Sequence, residues 1–213
     1  MSKSVVKIKV FGLKRITVQE KKIIYSFKIV IVGGPGVGKT CLFNRFCFNS
    51  FSFDTSMTIG LNFHSIDIPL YNSEDLDSNS ELLVSNSIFD FGGQERFKPL
   101  IPKFLRGADG AILVFDLLNK ESLEQLNFWY DQLIKHAKGL DIPKILVGSK
   151  NDLLSTLVES KAVSKELIYD FIKMKNLTGY YATSALENYN VVEVFKELND
   201  LMLKKHKSKY ILG

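Results

Sequence analysis

Phe27-Lys-Ile-Val-Ile-Val-Gly33-Gly-Pro-Gly-Val-Gly-Lys39-Thr40 decides the fold. Its first half is an apolar, largely β-branched run broken only by Lys28, the pattern of a strand buried on both faces. Its second half fits G-x-x-x-x-G-K-[ST] in full. Glycines let consecutive backbone N–H groups turn inward as an anion-binding nest, and a following helix adds its N-terminal dipole. Lys39 can then reach the β- and γ-phosphates of a nucleotide, and the Thr40 hydroxyl can ligate Mg²⁺. A strand before the loop and a helix after it, over Lys39 to Phe48, supply the context this motif requires. Taken alone it gives a nucleoside triphosphate site without naming the base or the reaction.

Working outward, Ile66 and Ile68 alternate with Asp67 as a strand, and Leu82 to Phe91 reads as its antiparallel partner. The polar stretch 71–80 between them is a loop. Ala111 to Leu117, Lys144 to Gly148 and Tyr180 to Thr183 are further strands. Helical spacing of apolar residues marks 121–137, 163–175 and a final helix from Val191 to Met202. Strands alternating with helices predict an α/β fold, a mostly parallel six-stranded sheet with the second strand antiparallel, covered by helices on both faces.

The 213 residues suit one domain, expected over 27–205, with a basic extension over 1–26 and a basic tail over 206–213. No apolar run approaches 18 residues, so no spanning segment is expected. Cys41 and Cys47 are the only cysteines, which points to a reducing compartment and a cytoplasmic location. The net charge of +5 is local: residues 1–28 hold eight lysines and arginines against the single acid Glu20, leaving the remainder close to neutral. A nucleic-acid-binding face on the domain is therefore not expected.

Four more segments follow the loop in a telling order: Thr58-Ile-Gly60, Asp90-Phe-Gly-Gly-Gln94-Glu-Arg-Phe97, Ser149-Lys-Asn-Asp152 and Thr183-Ser-Ala-Leu186. From Ser26 to about Lys205 the chain resembles a G domain of the Ras superfamily, closest in texture to its Rab and Arf-like branches. The resemblance implies a P-loop GTPase that binds GTP and GDP with Mg²⁺. It implies that Gly34, Gly36, Val37, Gly38, Lys39, Thr40 and Cys41 surround the phosphates. Thr58 lies 19 residues after Lys39, the family spacing, and would complete the Mg²⁺ set of Thr40, Thr58 and Asp90. The Gly93 N–H would contact the γ-phosphate, and Gln94 would orient the attacking water, with Lys39 supplying charge. Phe51 falls where the family places an aromatic ring edge-on to the guanine, and an ordinary core phenylalanine is the alternative.

Base reading falls to the last two segments. Asp152 can accept from the N1 and N2 donors that guanine has and adenine lacks, while the Lys150 stem would lie along the base. Ser149 stands where the family usually has Asn. Ser184, Ala185 and Leu186 resemble the last guanine-contacting loop, with the Ala185 N–H donating to O6. A switch that hydrolyses GTP slowly is the leading expectation, with effector, exchange-factor and GTPase-activating partners and a monomeric state. A nucleotide-dependent scaffold without turnover is the alternative, favoured by Ser149 and by Pro35, which removes one loop N–H. An ATP-using kinase is disfavoured by Asp152.

Asp90 lies 32 positions after Thr58, a longer span than in compact family members, and the extra length falls in the 71–80 loop. That loop is either a tolerated insertion or a partner contact through Glu74, Asp75 and Asp77. The final residues lack cysteine and residue 2 is serine, so neither prenylation nor N-myristoylation is expected. Both basic ends should emerge on the face opposite the nucleotide. They serve either solubility or a weak peripheral contact with anionic membrane that needs no lipid anchor. His64, His136 and His206 show no metal-ligand spacing.

Overall fold

The structure is a computed structural model that describes residues 20–52, 58, 60–72, 80–93, 95–137, 142–156 and 162–213. Ile29, Val30, Ile31 and Val32 are all fully buried, as a strand covered on both faces must be. They belong to β1 (Glu20–Val32), the centre of a seven-stranded sheet. The other strands are β2 (Leu61–Asn72), β3 (Ser80–Phe91), β4 (Gly110–Asp116), β5 (Lys144–Ser149), β6 (Gly179–Ala182) and β7 (Tyr210–Leu212). Their spatial order is β6-β5-β4-β1-β3-β2-β7. β1 runs parallel to β3 and β4, and β4, β5 and β6 are parallel to one another. β2 is antiparallel to both β3 and β7.

Helices cover the two faces: α1 (Lys39–Phe48), α2 (Ile101–Leu105), α3 (Lys120–His136), α4 (Lys165–Lys175) and α5 (Val191–Lys205). Alternation along β1 divides the core. Val30 and Val32 join Leu126, Trp129 and Leu133 of α3 and Ile168 and Phe171 of α4. Phe27, Ile29 and Ile31 join Leu42 and Phe43 of α1 and Val194, Phe195 and Leu198 of α5. Each such large apolar side chain contributes about 1.5–3 kcal/mol through burial. Local signals set the ends of the helices. The Asn119 side chain accepts from the Ser122 N–H at 3.3 Å at the start of α3, and Ser164 does the same for Leu167 at 3.4 Å at the start of α4. Asn176 ends α4 in the left-handed conformation, with φ of 47°.

The fold class stands as expected, with three corrections of extent. Among the described residues the sheet has seven strands, because residues 210–212 form β7 instead of a free tail. Their backbone satisfies the outer edge of β2, with Leu70 opposite Leu212 and Asn72 opposite Tyr210. β1 begins at Glu20, so residues 20–26 are sheet although the sequence reading puts them in the extension. Lys21 and Lys22 lie alongside Glu81 and Leu82 of β3, and a Lys21–Glu81 ion pair at 3.5 Å marks the wet rim. Leu61 to Asn72 is longer than the short strand read from Ile66 to Ile68. The remainder of the extension, residues 1–19, and the acids Glu74, Asp75 and Asp77 lie outside the described residues.

Lys28, the one charge in the buried run, is accommodated by its neighbours. Its ammonium donates to Arg106 O at 2.9 Å and sits 4.6 Å over the Phe89 ring. Aromatics tie β1 to the segment after α5: the Tyr25 ring lies 6.0 Å from His206 and 6.3 Å from Tyr210. Tyr210→Ala is expected to cost about 1–2 kcal/mol, a fall in Tm of roughly 3–6 °C by differential scanning calorimetry. An unchanged Tm would mean that β7 contributes nothing to stability.

Candidate functional site

The loop from Gly33 to Gly38 follows β1 at the C-terminal end of the parallel strands, where open α/β sheets bind ligands. Gly36 and Gly38 take φ of 72° and 86°, and a side chain at either would be strained. Gly38 caps α1, whose first residue is Lys39. The Lys39 ammonium is buried and donates to Gly33 O at 3.0 Å and Gly34 O at 2.6 Å. Burial pushes its pKa down to about 8, against an opposing pull from Asp90. Val37 is buried beneath the loop, and Cys41 is partly buried on the first turn of α1.

Three oxygen-bearing side chains meet beside Lys39. Thr40 Oγ1 lies 2.6 Å from Thr58 Oγ1 and donates to Asp90 Oδ2 at 2.7 Å. Asn62 Nδ2 adds a hydrogen bond to the same Asp90 oxygen at 3.0 Å, because Asn62 and Asp90 are register partners in the β2–β3 ladder. Asp90 Oδ1 is buried and has no hydrogen-bond partner among the described residues. Burial raises the Asp90 pKa, opposed by the bonds from Thr40 and Asn62 and by the Lys39 charge. A set of hard oxygens around an orphaned buried carboxylate atom fits a magnesium ion. Thr40, Thr58 and Asp90 are the residues that would hold it.

Gly93 packs against the loop backbone. A Cβ there would come within 2.6 Å of Gly34 C and 2.7 Å of Pro35 N, so only glycine allows this approach. Beside it a cavity of about 230 Å³ is lined by Gly34, Pro35, Gly93, Lys98, Gln125, Phe128 and Trp129. Gln94 lies outside the described residues, and Glu95–Leu100 continue as a 3-10 turn. Phe51 is half-buried just beyond α1.

The base-reading candidates gather at the ends of β5 and β6. Ser149 is buried, with Oγ 2.6 Å from Val37 O and 3.0 Å from Phe115 O. This hydroxyl is within hydrogen-bond reach of both carbonyls, so it ties β5 to the phosphate loop and to β4. Lys150 adopts a positive φ of 63°, and its ammonium bonds Asp116 Oδ2 at 2.6 Å. The stem is thereby stretched across the end of β4. The Asp152 carboxylate is half-exposed and makes no hydrogen bond among the described residues. Ser184 is fully buried and its Oγ accepts from the Glu187 N–H at 3.0 Å, shaping the turn that carries Ala185 and Leu186. The Asn151 N–H donates to Thr183 O at 3.0 Å, holding the two base segments side by side.

The phosphate loop, Thr58, Asp90 and Gly93 are thus brought together at one end, and Ser149, Lys150, Asp152 and Ser184 to Leu186 at the other. Asn62 and Asp116 escaped the sequence reading. Both act through tertiary partners, and an isolated Asn or Asp in a strand carries no local signal.

Comparison with known proteins adds identity to this geometry. Residues 28–204 match the family described as Ras family. The chain is 35% identical over 178 residues to the GTP-binding protein ypt3 of Schizosaccharomyces pombe, covering 84% of this chain and 76% of that protein. It is 34% identical over 187 residues to the Ras-related protein RABG3b of Arabidopsis thaliana, with 86% and 87% covered. Against the Ras-related protein Rab-7b of Mus musculus the identity is 32% over 183 residues, with 85% and 84% covered.

Proposed function

Because the chain belongs to the Ras family and is a small GTP-binding protein of the Rab type, we propose that it works as a two-state switch that hydrolyses GTP to GDP and phosphate. The observation that carries this reading is the meeting of Thr40, Thr58 and Asp90 beside Lys39. Thr58 comes from the segment between α1 and β2, and Gly93 from the segment after β3. Both reach the phosphate loop from outside it.

Phosphoryl transfer asks mainly for positioning and charge stabilisation. Lys39 and the loop N–H groups stabilise charge on the phosphates. Thr40, Thr58 and Asp90 would hold a magnesium ion, which would supply further positive charge against the phosphates. Gln94, next to Gly93, orients the attacking water, and Asp152 with the Ala185 N–H selects guanine. With the γ-phosphate bound, Thr58 and Gly93 each gain a contact, and hydrolysis removes it. A binding partner that reads the contacted form senses GTP by that difference alone. No long helical insertion separates Phe48 from Thr58 to supply an arginine in cis, so turnover is slow and a GTPase-activating partner speeds it. Exchange factors and effectors complete the cycle.

Single-turnover assays with Mg²⁺ test this. Wild type is expected to hydrolyse GTP and leave ATP untouched, and Gln94→Leu to slow hydrolysis roughly 10- to 100-fold with GTP affinity retained. Binding of GTP without any turnover would favour the scaffold reading instead.

A further inference from the structure

Arg45 sits in the last turn of α1, the helix whose first turn carries Lys39 and Thr40. Its guanidinium reaches 140 residues along the chain. Nε donates to Ala185 O at 2.7 Å, and Nη2 donates to Leu186 O at 3.2 Å. Nη1 donates to Asn49 O at 3.1 Å and Asn49 Oδ1 at 3.0 Å. No carboxylate pairs with this cation among the described residues. The whole planar fork is directed at carbonyl groups, which a lysine could not satisfy in the same way.

The acceptors are the two consecutive carbonyls of the segment assigned above to guanine. Fixing the Ala185 and Leu186 carbonyls toward α1 fixes the planes of their peptides. The Ser184 hydroxyl holds the far side of the turn through the Glu187 N–H. The Ala185 N–H lies in the preceding peptide, whose Ser184 carbonyl accepts from the Tyr189 N–H at 2.9 Å, so Tyr189 on one side and Arg45 on the other hold its direction. The same end of α1 is anchored to the core, since Phe46 stacks on Phe195 of α5 with centroids 3.7 Å apart and planes within 8°. One helix therefore carries the phosphate-binding residues at its start and grips the base-binding turn from its end.

We propose that Arg45 is a positioning residue for guanine: it aims the Ala185 N–H at the base O6 and thereby lengthens the time the nucleotide stays bound. The inference rests on the guanine-binding reading above and adds a residue that no motif contains. Arg45 touches no part of the nucleotide, and its effect passes through the 184–187 turn. Charge-assisted bonds to two carbonyls are lost together in Arg45→Ala, so release of GDP is expected to quicken roughly 10- to 50-fold.

The test measures release of fluorescently labelled GDP from the full chain with Mg²⁺, for wild type, Arg45→Ala and Arg45→Lys. The same series is run with the diphosphate of 2-aminopurine riboside, which keeps the 2-amino group and lacks O6. If Arg45 acts by aiming the donor at O6, its removal speeds GDP release far more than release of the O6-free ligand, a coupling that a general loosening would not produce. Arg45→Lys keeps the charge without the fork, and it is expected to fold as wild type and release GDP at an intermediate rate. GDP release at the wild-type rate from both variants, or equal acceleration for both ligands, overturns the inference. A wild type that binds ADP as tightly as GDP instead overturns the guanine reading beneath it.

Discussion

Lys39→Ala is expected to weaken GDP and GTP binding by roughly 10²- to 10⁴-fold, with the folded state intact. Hydrogen bonds from a charged group are worth about 1.5–3 kcal/mol each when truncated, and this ammonium has at least two to offer a diphosphate. Without nucleotide the same ammonium is buried on Gly33 O and Gly34 O, and desolvation depresses its pKa to about 8. A cation held under such a penalty adds little to the stability of the empty protein. The melting temperature of nucleotide-free Lys39→Ala should therefore stay within a few degrees of wild type while affinity collapses. Fluorescence titration with labelled GDP, alongside calorimetry, separates the two effects. Retained affinity would remove Lys39 from the phosphate site.

Gly33→Ala should do the reverse and damage the fold itself, by roughly 3–5 kcal/mol. Gly33 adopts φ of 152°, and a Cβ there would lie 2.2 Å from Val114 O and 3.2 Å from a Val37 methyl. The carbonyl belongs to β4, whose Leu113 is registered with Val32 of β1, so the clash cannot be relieved by rotating a side chain. Backbone strain of about 1–3 kcal/mol adds to an overpacking cost of similar size. For a chain of this length the sum corresponds to a fall in Tm of roughly 6–15 °C. Gly36 is the control: its φ of 72° is strained for other residues, but a Cβ would meet nothing within 4 Å. Gly36→Ala should cost about 1 kcal/mol. Equal melting temperatures for the two variants would show that the Val114 contact is not the cause.

Reading the sequence worked where a local pattern was sufficient. The buried runs of β1, β4 and β5 are continuous in apolar residues, and the loop glycines sit at fixed offsets from Lys39. Amphipathic spacing located α3, α4 and α5 within a few residues. Failures share one cause, dependence on partners distant in the chain. Glu20, Lys21 and Lys22 look like a charged tail, yet they extend β1 because Ser80, Glu81 and Leu82 run beside them. Tyr210, Ile211 and Leu212 look like a terminus, and they are a strand because the outer edge of β2 would otherwise go unpaired. The site shows the same division. Lys39 and Thr40 were expected from the spacing of the loop motif, and Asp90 from the resemblance of its segment to a Ras-superfamily switch. The Asn62 bond to Asp90, the Asp116 anchor for Lys150 and the reach of Arg45 needed the sheet register and the placement of the 184–187 turn. Ser149 was legible as a departure, and only geometry shows its hydroxyl on Val37 O.

The pairing of β7 with β2 also bears on how the chain is made. A ribosome releases residues in order, and domains fold as their parts emerge. Here α5, which covers one face of β1, and β7, which closes one margin of the sheet, appear after every other described element. Until Leu212 has emerged, the outer backbone of β2 stays unpaired and able to recruit a stray strand from a neighbouring nascent chain. A stall within α5 therefore leaves a nucleotide-binding loop built on a sheet whose margin is still open.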